Sequence, residues 1–288
     1  MRNILGVGLI SLVFIISGCG SDSDSSSTNK NSSAYASSNI NSHSNGQNQH
    51  GSDINQSQDC NNSLDINSSP MSTLTQDLKD AIAYMGNEER LAYDVYHNLY
   101  LYHLEKSGIE IRQLKNISET SEVQHVSIVQ DIVRKYSIDP DELTVVEEPV
   151  ANRDVSFEDM PSGKYGVPHI QELYDFLYAK GQESQIDALE VGCIVEVTDV
   201  NDLNEYIELA HESNATDIEE AFTFLRNASY NHYWAFDTGL KNLGVAQGCC
   251  ALGEIDGVNY CRPDFPNNEN QQNGGQGQGQ GRGNGRNH

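Results

Sequence analysis

Apolar side chains recur at alternating steps of four and three residues through most of the chain between residues 74 and 240. Steps of this size return to the same face of an α-helix. The first such stripe predicts a helix over about 74–102. Its members are Leu78, Ile82, Met85, Glu89, Ala92, Tyr96 and Leu99.

Three more stripes of the same period predict long helices over about 118–136, 184–206 and 216–240. A shorter helix is predicted over about 168–180, inside the connection between the second and third long helices. No segment shows a good run of the two-residue alternation that is typical of strands. The pattern predicts an all-α fold, namely a ferritin-like four-helix bundle with a long crossover that contains a short extra helix.

Several of these helices have recognisable end signals in the sequence. Thr75 is suited to cap the first helix, and Gly108 follows its end. Pro168 suits the first position of the short helix. Thr216 and Glu219 have the spacing of a capping box, which predicts the start of the last helix.

Each long helix interrupts its apolar stripe with an acid, a histidine or both. Charged groups are almost never buried without a partner, because removing a carboxylate from water costs on the order of several kcal/mol. A shared pair of metal ions would offset that cost on all four helices at once. The predicted metal ligands are Glu89, Glu122, His125, Glu196, Asp199 and His232.

The spacing of these residues suits a two-metal centre. Glu122 and His125 form a Glu-x-x-His pair, whose side chains leave one helix face about one turn apart. The last helix has Ser229 three residues before His232, where a second Glu-x-x-His motif would place a glutamate. We expect Asp199 to supply the missing carboxylate. If Asp199 points elsewhere, the site would be mononuclear or weak.

Two alternatives remain open at this level. Glu88 is a rival to Glu89 as the ligand of the first helix, because it lies about 100° round the helix. The acids and histidines could also satisfy one another by hydrogen bonds without any metal. Glu119 and Glu190 lie off the stripes, and we expect both to be solvated.

The two ends of the chain differ from its centre. Residues 1–19 have a positive start and a short apolar run that ends in Ile-Ser-Gly-Cys19, which matches the bacterial lipobox and implies a lipid on that cysteine. Residues 20–71 are rich in Ser and Asn and predict a disordered tether. Residues 263–288 predict a disordered Gly/Asn/Gln tail, which leaves one domain over 72–262.

The remaining cysteines fall into two kinds. Cys193 lies within a helical stripe and is expected to be a small core residue. Cys60, Cys249, Cys250 and Cys261 flank the domain and could form two disulfides in an oxidising compartment. The sequence leaves their pairing open, although adjacent Cys249 and Cys250 are not expected to pair with each other.

The net charge of the chain excludes one class of function. The chain has 17 basic and 42 acidic residues, for a formal net charge of −25. A protein that binds nucleic acid needs a basic surface, so this class is excluded.

The site-bearing segments resemble the ferritin-like family known as domain of unknown function 2202, over about residues 74–240. The resemblance implies a four-helix bundle with a two-metal centre, and it implies little about the reaction because the family's activity is not established. The similar segments are Glu88–Tyr96, Ser121–His125, Ala188–Gly192, Glu196–Leu203 and Ser229–His232.

These observations favour a carboxylate protein with two iron ions, with manganese as the other candidate metal. We expect a ferroxidase or an oxidoreductase that reduces peroxide or dioxygen. The alternative is a non-catalytic lipoprotein that binds, senses or buffers metal. Either would be held in the cell envelope by lipid on Cys19, and the sequence leaves open whether the domain forms a homodimer.

Overall fold

The apolar stripes form helices that enclose a shared interior. The computed structural model describes residues 64–144 and 159–267. Its α-helices are α1 (Gln76–Ser107), α2 (Arg112–Asn116), α3 (Val123–Tyr136), α4 (Pro168–Gly181), α5 (Gln185–Glu212) and α6 (Thr216–Asn242). The other elements are a π-helix (Ile117–Glu122), 3₁₀ turns (Ile66–Ser68, Pro140–Glu142, Gly248–Leu252) and an antiparallel pair, β1 (Glu254–Ile255) with β2 (Val258–Asn259).

The predicted all-α class is confirmed for the part of the chain that is described. Each predicted long helix is present, and most of the observed bounds are within a few residues of the predicted ones. Two helical segments are longer than predicted. The second helical segment begins at Arg112, because α2, the π-helix and α3 follow one another without a break. Helix α5 continues to Glu212, several residues beyond its predicted end.

Three of the predicted helix ends are confirmed and one is wrong. Pro168 occupies the first turn of α4, as predicted. The Thr75 hydroxyl accepts a hydrogen bond from the backbone N–H of Leu78, and Gly108 ends α1 in the left-handed conformation at φ 70°. Thr216 is already helical and caps nothing. The reason is that the Ala215 carbonyl accepts from the N–H groups of Ile218 and Glu219, so the helix ladder starts one residue earlier.

The apolar core consists of two clusters, and on α1 and α6 the polar interruptions lie between them. On α1, Glu89 lies between Met85 of one cluster and Leu91 of the other, although Ala83 also belongs to the second cluster. On α6, the same two clusters are separated between Leu225 and Tyr233. Each cluster excludes water from one side of the interval, so polar groups inside it are held in a desolvated layer.

Two disulfides attach the C-terminal loop. Cys193 of α5 is bonded to Cys249, and Cys250 is bonded to Cys261. The expectation that Cys193 is a free core residue is therefore wrong, although its side chain is fully buried. Its partner comes from the loop after α6, a contact between distant parts of the sequence that helical spacing does not reveal. Cys60 lies outside the described residues.

The predictions for the two ends of the chain fall mostly outside the described residues. These are the signal peptide over 1–19 with its Cys19, nearly all of the tether over 20–71, and most of the tail over 263–288. Among the described residues, none of the helices combines the length and the apolar character needed to cross a bilayer.

Candidate metal centre

Four helical segments converge on the desolvated layer between the two apolar clusters. Glu89 comes from α1, Glu122 ends the π-helix, His125 lies on α3, Glu196 on α5 and His232 on α6. Their side chains are between 1% and 8% exposed, so water does not compensate their charges. The sequence therefore brings charged groups into the interior from every side.

The first group of ligand atoms belongs to Glu89, Glu122 and His125. Nδ1 of His125 lies 3.0 Å from Oε2 of Glu89 and 3.1 Å from Oε2 of Glu122. One ring nitrogen thus faces two carboxylates. The three residues offer atoms that all lie within 4.8 Å of one another, which is close enough to hold one metal ion.

The second group belongs to Glu122, Glu196 and His232. Nδ1 of His232 lies 3.1 Å from Oε1 of Glu122 and 3.5 Å from Oε2 of Glu196. These atoms also lie within 4.8 Å of one another. Glu122 belongs to both groups and faces one histidine with each of its oxygens. The histidine rings stack with their centroids 5.4 Å apart.

Two buried atoms at the centre have no hydrogen-bond partner, and both suit a metal ion. They are Oε1 of Glu89 and Nδ1 of His232. The second atom is near two carboxylate oxygens but lacks the alignment of a hydrogen bond with either. Buried polar atoms are normally paired, since an unpaired one costs about 1–3 kcal/mol. The residues present therefore fit a bound cation better than they fit a purely hydrogen-bonded core.

Two neighbouring hydroxyl groups orient the candidate ligands. The Ser121 hydroxyl lies 2.8 Å from Nε2 of His232 and 3.2 Å from Nε2 of His125. The Tyr96 hydroxyl donates to Oε1 of Glu196 at 2.6 Å. Such contacts fix the ring and carboxylate orientations that metal binding needs. Ser121 was not predicted, although its position four residues before His125 on one helix face was a usable signal.

The π-helix contributes to this arrangement. Ser121 and Glu122 are adjacent in sequence, yet both contact histidines at the centre. In a regular α-helix, neighbouring side chains diverge by about 100°. The π-helix ends at Glu122, so the wider turn lies at the point where the two neighbouring side chains are directed to the same centre. Such π turns are frequent at functional sites.

Asp199 and Glu88 lie beside the two groups rather than within them. Asp199 is buried, and its carboxylate accepts a hydrogen bond from Ser229, the residue that replaces the expected glutamate. Glu88 is also buried, and its carboxyl group is hydrogen bonded to Asp202. Both line one cavity with Glu89 and Glu196. Of these two neighbours on α1, Glu89 is the one that contacts a histidine of the centre.

The carboxyl groups of the centre respond differently to burial. Burial opposes ionisation of Glu122, but His125 and His232 outweigh it and lower the pKa to about 2. Burial raises the pKa of Glu89 to about 7, although His125 acts in the opposite direction. The pKa of Asp199 is raised well above its usual value, by burial and then by the charges of Glu89 and Glu196. The metal-free centre is therefore ionised at Glu122 and tends to retain protons at Asp199.

The two histidines are held as cations. Burial alone would lower their pKa values, but the charges of Glu89 and Glu122 raise the pKa of His125 well above normal. Glu196 and Glu122 likewise raise the pKa of His232 to about 10. Protons on these imidazoles balance the carboxylate charge in the absence of a metal, and a cation of higher charge can take their place.

Comparison with known proteins identifies a family of similar sequence. Residues 78–255 match the family described as Uncharacterized protein domain (DUF2202). The chain is 35% identical over 179 residues to Uncharacterized protein MJ0754 of Methanocaldococcus jannaschii. The matched stretch covers 62% of this chain and 83% of that protein. The crystal structure of hypothetical protein MJ0754 from Methanococcus jannaschii aligns with a TM-score of 0.49 and 32% identity, over 61% of this chain and 86% of that chain. This chain belongs to the DUF2202 family.

Proposed function

We propose that this protein is a two-metal carboxylate protein of the ferritin-like type that binds two iron ions in a four-helix bundle. The observation that carries the proposal is the position of Glu122, which belongs to both groups of ligand atoms. A carboxylate shared by two groups implies a pair of ions rather than a single one. Asp199 remains a proposed ligand, since it lines the same cavity as Glu89, Glu122 and Glu196.

The donor set supports iron, with manganese as the other metal of suitable chemistry. Carboxylates with imidazoles suit both metals, and the described residues near the centre offer no thiolate, because Cys193 and Cys249 are joined in a disulfide. When bound, a pair of iron ions would supply the redox chemistry for oxidising ferrous iron or for reducing dioxygen or peroxide. The protein's own residues would orient the ions, exclude water and release the imidazole protons.

Metal loading tests the proposal directly. The purified protein is expected to bind two iron ions per chain and to consume dioxygen when ferrous iron is added. Elemental analysis and an oxygen electrode measure the two quantities. Binding without oxygen consumption would instead assign the alternative role of metal sensing or buffering. Absence of both iron and manganese uptake would contradict the proposal and leave a purely structural hydrogen-bonded cluster.

Proton release should accompany metal binding. His125 and His232 have raised pKa values, so both are protonated at pH 7 in the metal-free protein, and each ion must displace a proton. We expect roughly two or more protons released per chain at pH 7, and an affinity that rises with pH. Calorimetry in buffers of different ionisation enthalpy measures the number. A binding enthalpy that is the same in every buffer would contradict this expectation.

We also propose that the domain is held in the cell envelope by lipid on Cys19. The motif at residues 16–19 supports this location, and the acidic chain of net charge −25 suits a protein that meets cations outside the cytoplasm. In the bacterial host, Cys19→Ala is expected to abolish labelling by radioactive palmitate and to release the protein from the membrane fraction. Labelling that persists in this variant would contradict the assignment.

A further inference from the structure

A row of carboxyl groups extends from the centre towards the surface along α5. Asp199, Asp202 and Glu205 follow one another at steps of three residues, so each is next to the following one on the helix surface. Their exposure increases in that order, from buried through half-buried to exposed. Glu88 reaches the same row from α1 and acts on both Asp199 and Asp202. These four residues are called the acid row below.

Glu88 gives an independent sign that the acid row binds a ligand. The side chain is 6% exposed, and its carboxyl group is hydrogen bonded to Asp202. Oxygen Oε2 of this carboxyl group is buried and has no hydrogen-bond donor as a partner. Glu88 lines the cavity that also contains Glu89, Glu196 and Asp199. A desolvated carboxylate oxygen on a residue that lines this cavity is suited to a cation and costly without one.

The groups around the middle of the acid row, Glu88 and Asp202, are mostly acidic or phenolic. Within residues 64–144 and 159–267, neither Glu88 nor Asp202 forms an ion pair with a lysine or an arginine. The groups that act on this pair from other positions are the tyrosines Tyr84 and Tyr206 and the exposed His169. A row of acidic side chains that basic side chains do not neutralise raises the local concentration of cations and their rate of arrival.

We propose that the acid row is the entry path by which a divalent metal ion reaches the two-metal centre. The pair Glu88 and Asp202 holds the ion between the exposed Glu205 and the buried Asp199. This inference rests on the proposed two-metal function, and it assigns to Glu88 and Asp202 a role that neither group of ligand atoms includes. The ligand class is a divalent transition-metal ion such as Fe²⁺, Mn²⁺ or Co²⁺.

The test follows the rate of loading with Co²⁺, whose d–d absorption reports binding and which is stable in air. Glu88→Gln and Asp202→Asn are expected to bind two ions per chain, as the wild type does, but to load about tenfold more slowly or worse. The control is Glu212→Gln, which removes the same charge at an exposed position at the end of α5 and should load at the wild-type rate.

Each other outcome overturns the inference in a recognisable way. Wild-type loading rates in both variants, with two ions bound, would reject the entry path and leave the proposed function intact. A Glu88→Gln protein that binds fewer than two ions would make Glu88 a ligand of the centre. A wild type that binds no ion would reject the proposed function itself.

A second measurement decides the question if the variants do not fold. Wild-type crystals soaked in excess Mn²⁺ should show an anomalous peak between Glu88 and Asp202, in addition to two peaks at the centre. A filled centre with no peak between these two residues would overturn the inference.

Discussion

Replacing Glu122 with glutamine is expected to abolish binding of both proposed metal ions. One oxygen of Glu122 lies 3.1 Å from His125 and the other lies 3.1 Å from His232, so both groups of ligand atoms lose their shared carboxylate. Glutamine has nearly the same shape but no charge, and its amide nitrogen cannot accept a metal ion. Elemental analysis should show a decrease from two ions per chain to none at micromolar metal.

The matched control for this prediction is Glu119→Gln. Glu119 lies in the same π-helix, three residues before Glu122, but its side chain is exposed. The variant makes the same chemical change and should retain two ions per chain. Circular dichroism of both metal-free variants checks that the helices remain. If Glu122→Gln kept two ions, the shared-carboxylate arrangement would be wrong. If it kept one, Glu122 would serve a single ion and the centre would not be bridged.

Helical spacing predicted most of the centre because the ligands obey the same periodicity as the core. Glu89 occupies the position in its stripe between Met85 and Ala92, so the geometry that buries those neighbours also buries the carboxylate. The same reasoning applies to Glu196 and His232. A charged residue in an apolar stripe therefore carries positional information that a charged residue on a surface does not.

The features that were missed depend on contacts between distant segments or on local departures from α-geometry. Ser121 lies in the π-helix and also contacts His232, which is distant in the sequence, so helical spacing did not reveal this contact. Cys193 fits an apolar stripe equally well as a thiol or as half of a disulfide, so its bond to Cys249 was hidden. Asp199 lies on the expected face, but its bond to Ser229 depends on how α5 and α6 approach each other.

Removing the disulfide between Cys193 and Cys249 should destabilise the domain more than removing the disulfide between Cys250 and Cys261. The two bonds close segments of 56 and 11 residues. In the chain-entropy account, they lower the free energy of the folded state relative to the unfolded chain by about 4 and about 3 kcal/mol, respectively. Burial adds in the same direction, because Cys249 is fully buried whereas Cys250 and Cys261 are half-buried.

The measurement is urea unfolding of two metal-free double variants, Cys193→Ala with Cys249→Ala and Cys250→Ala with Cys261→Ala. Both make the same chemical change, so each serves as the control for the other. The first pair should also weaken metal binding, because Cys193 lies one turn before Glu196 and fixes that part of α5 against the C-terminal loop. Equal or reversed losses of unfolding free energy would show that loop length does not determine the contribution of these bonds. Unchanged metal affinity in the first variant would show that the helices alone position Glu196.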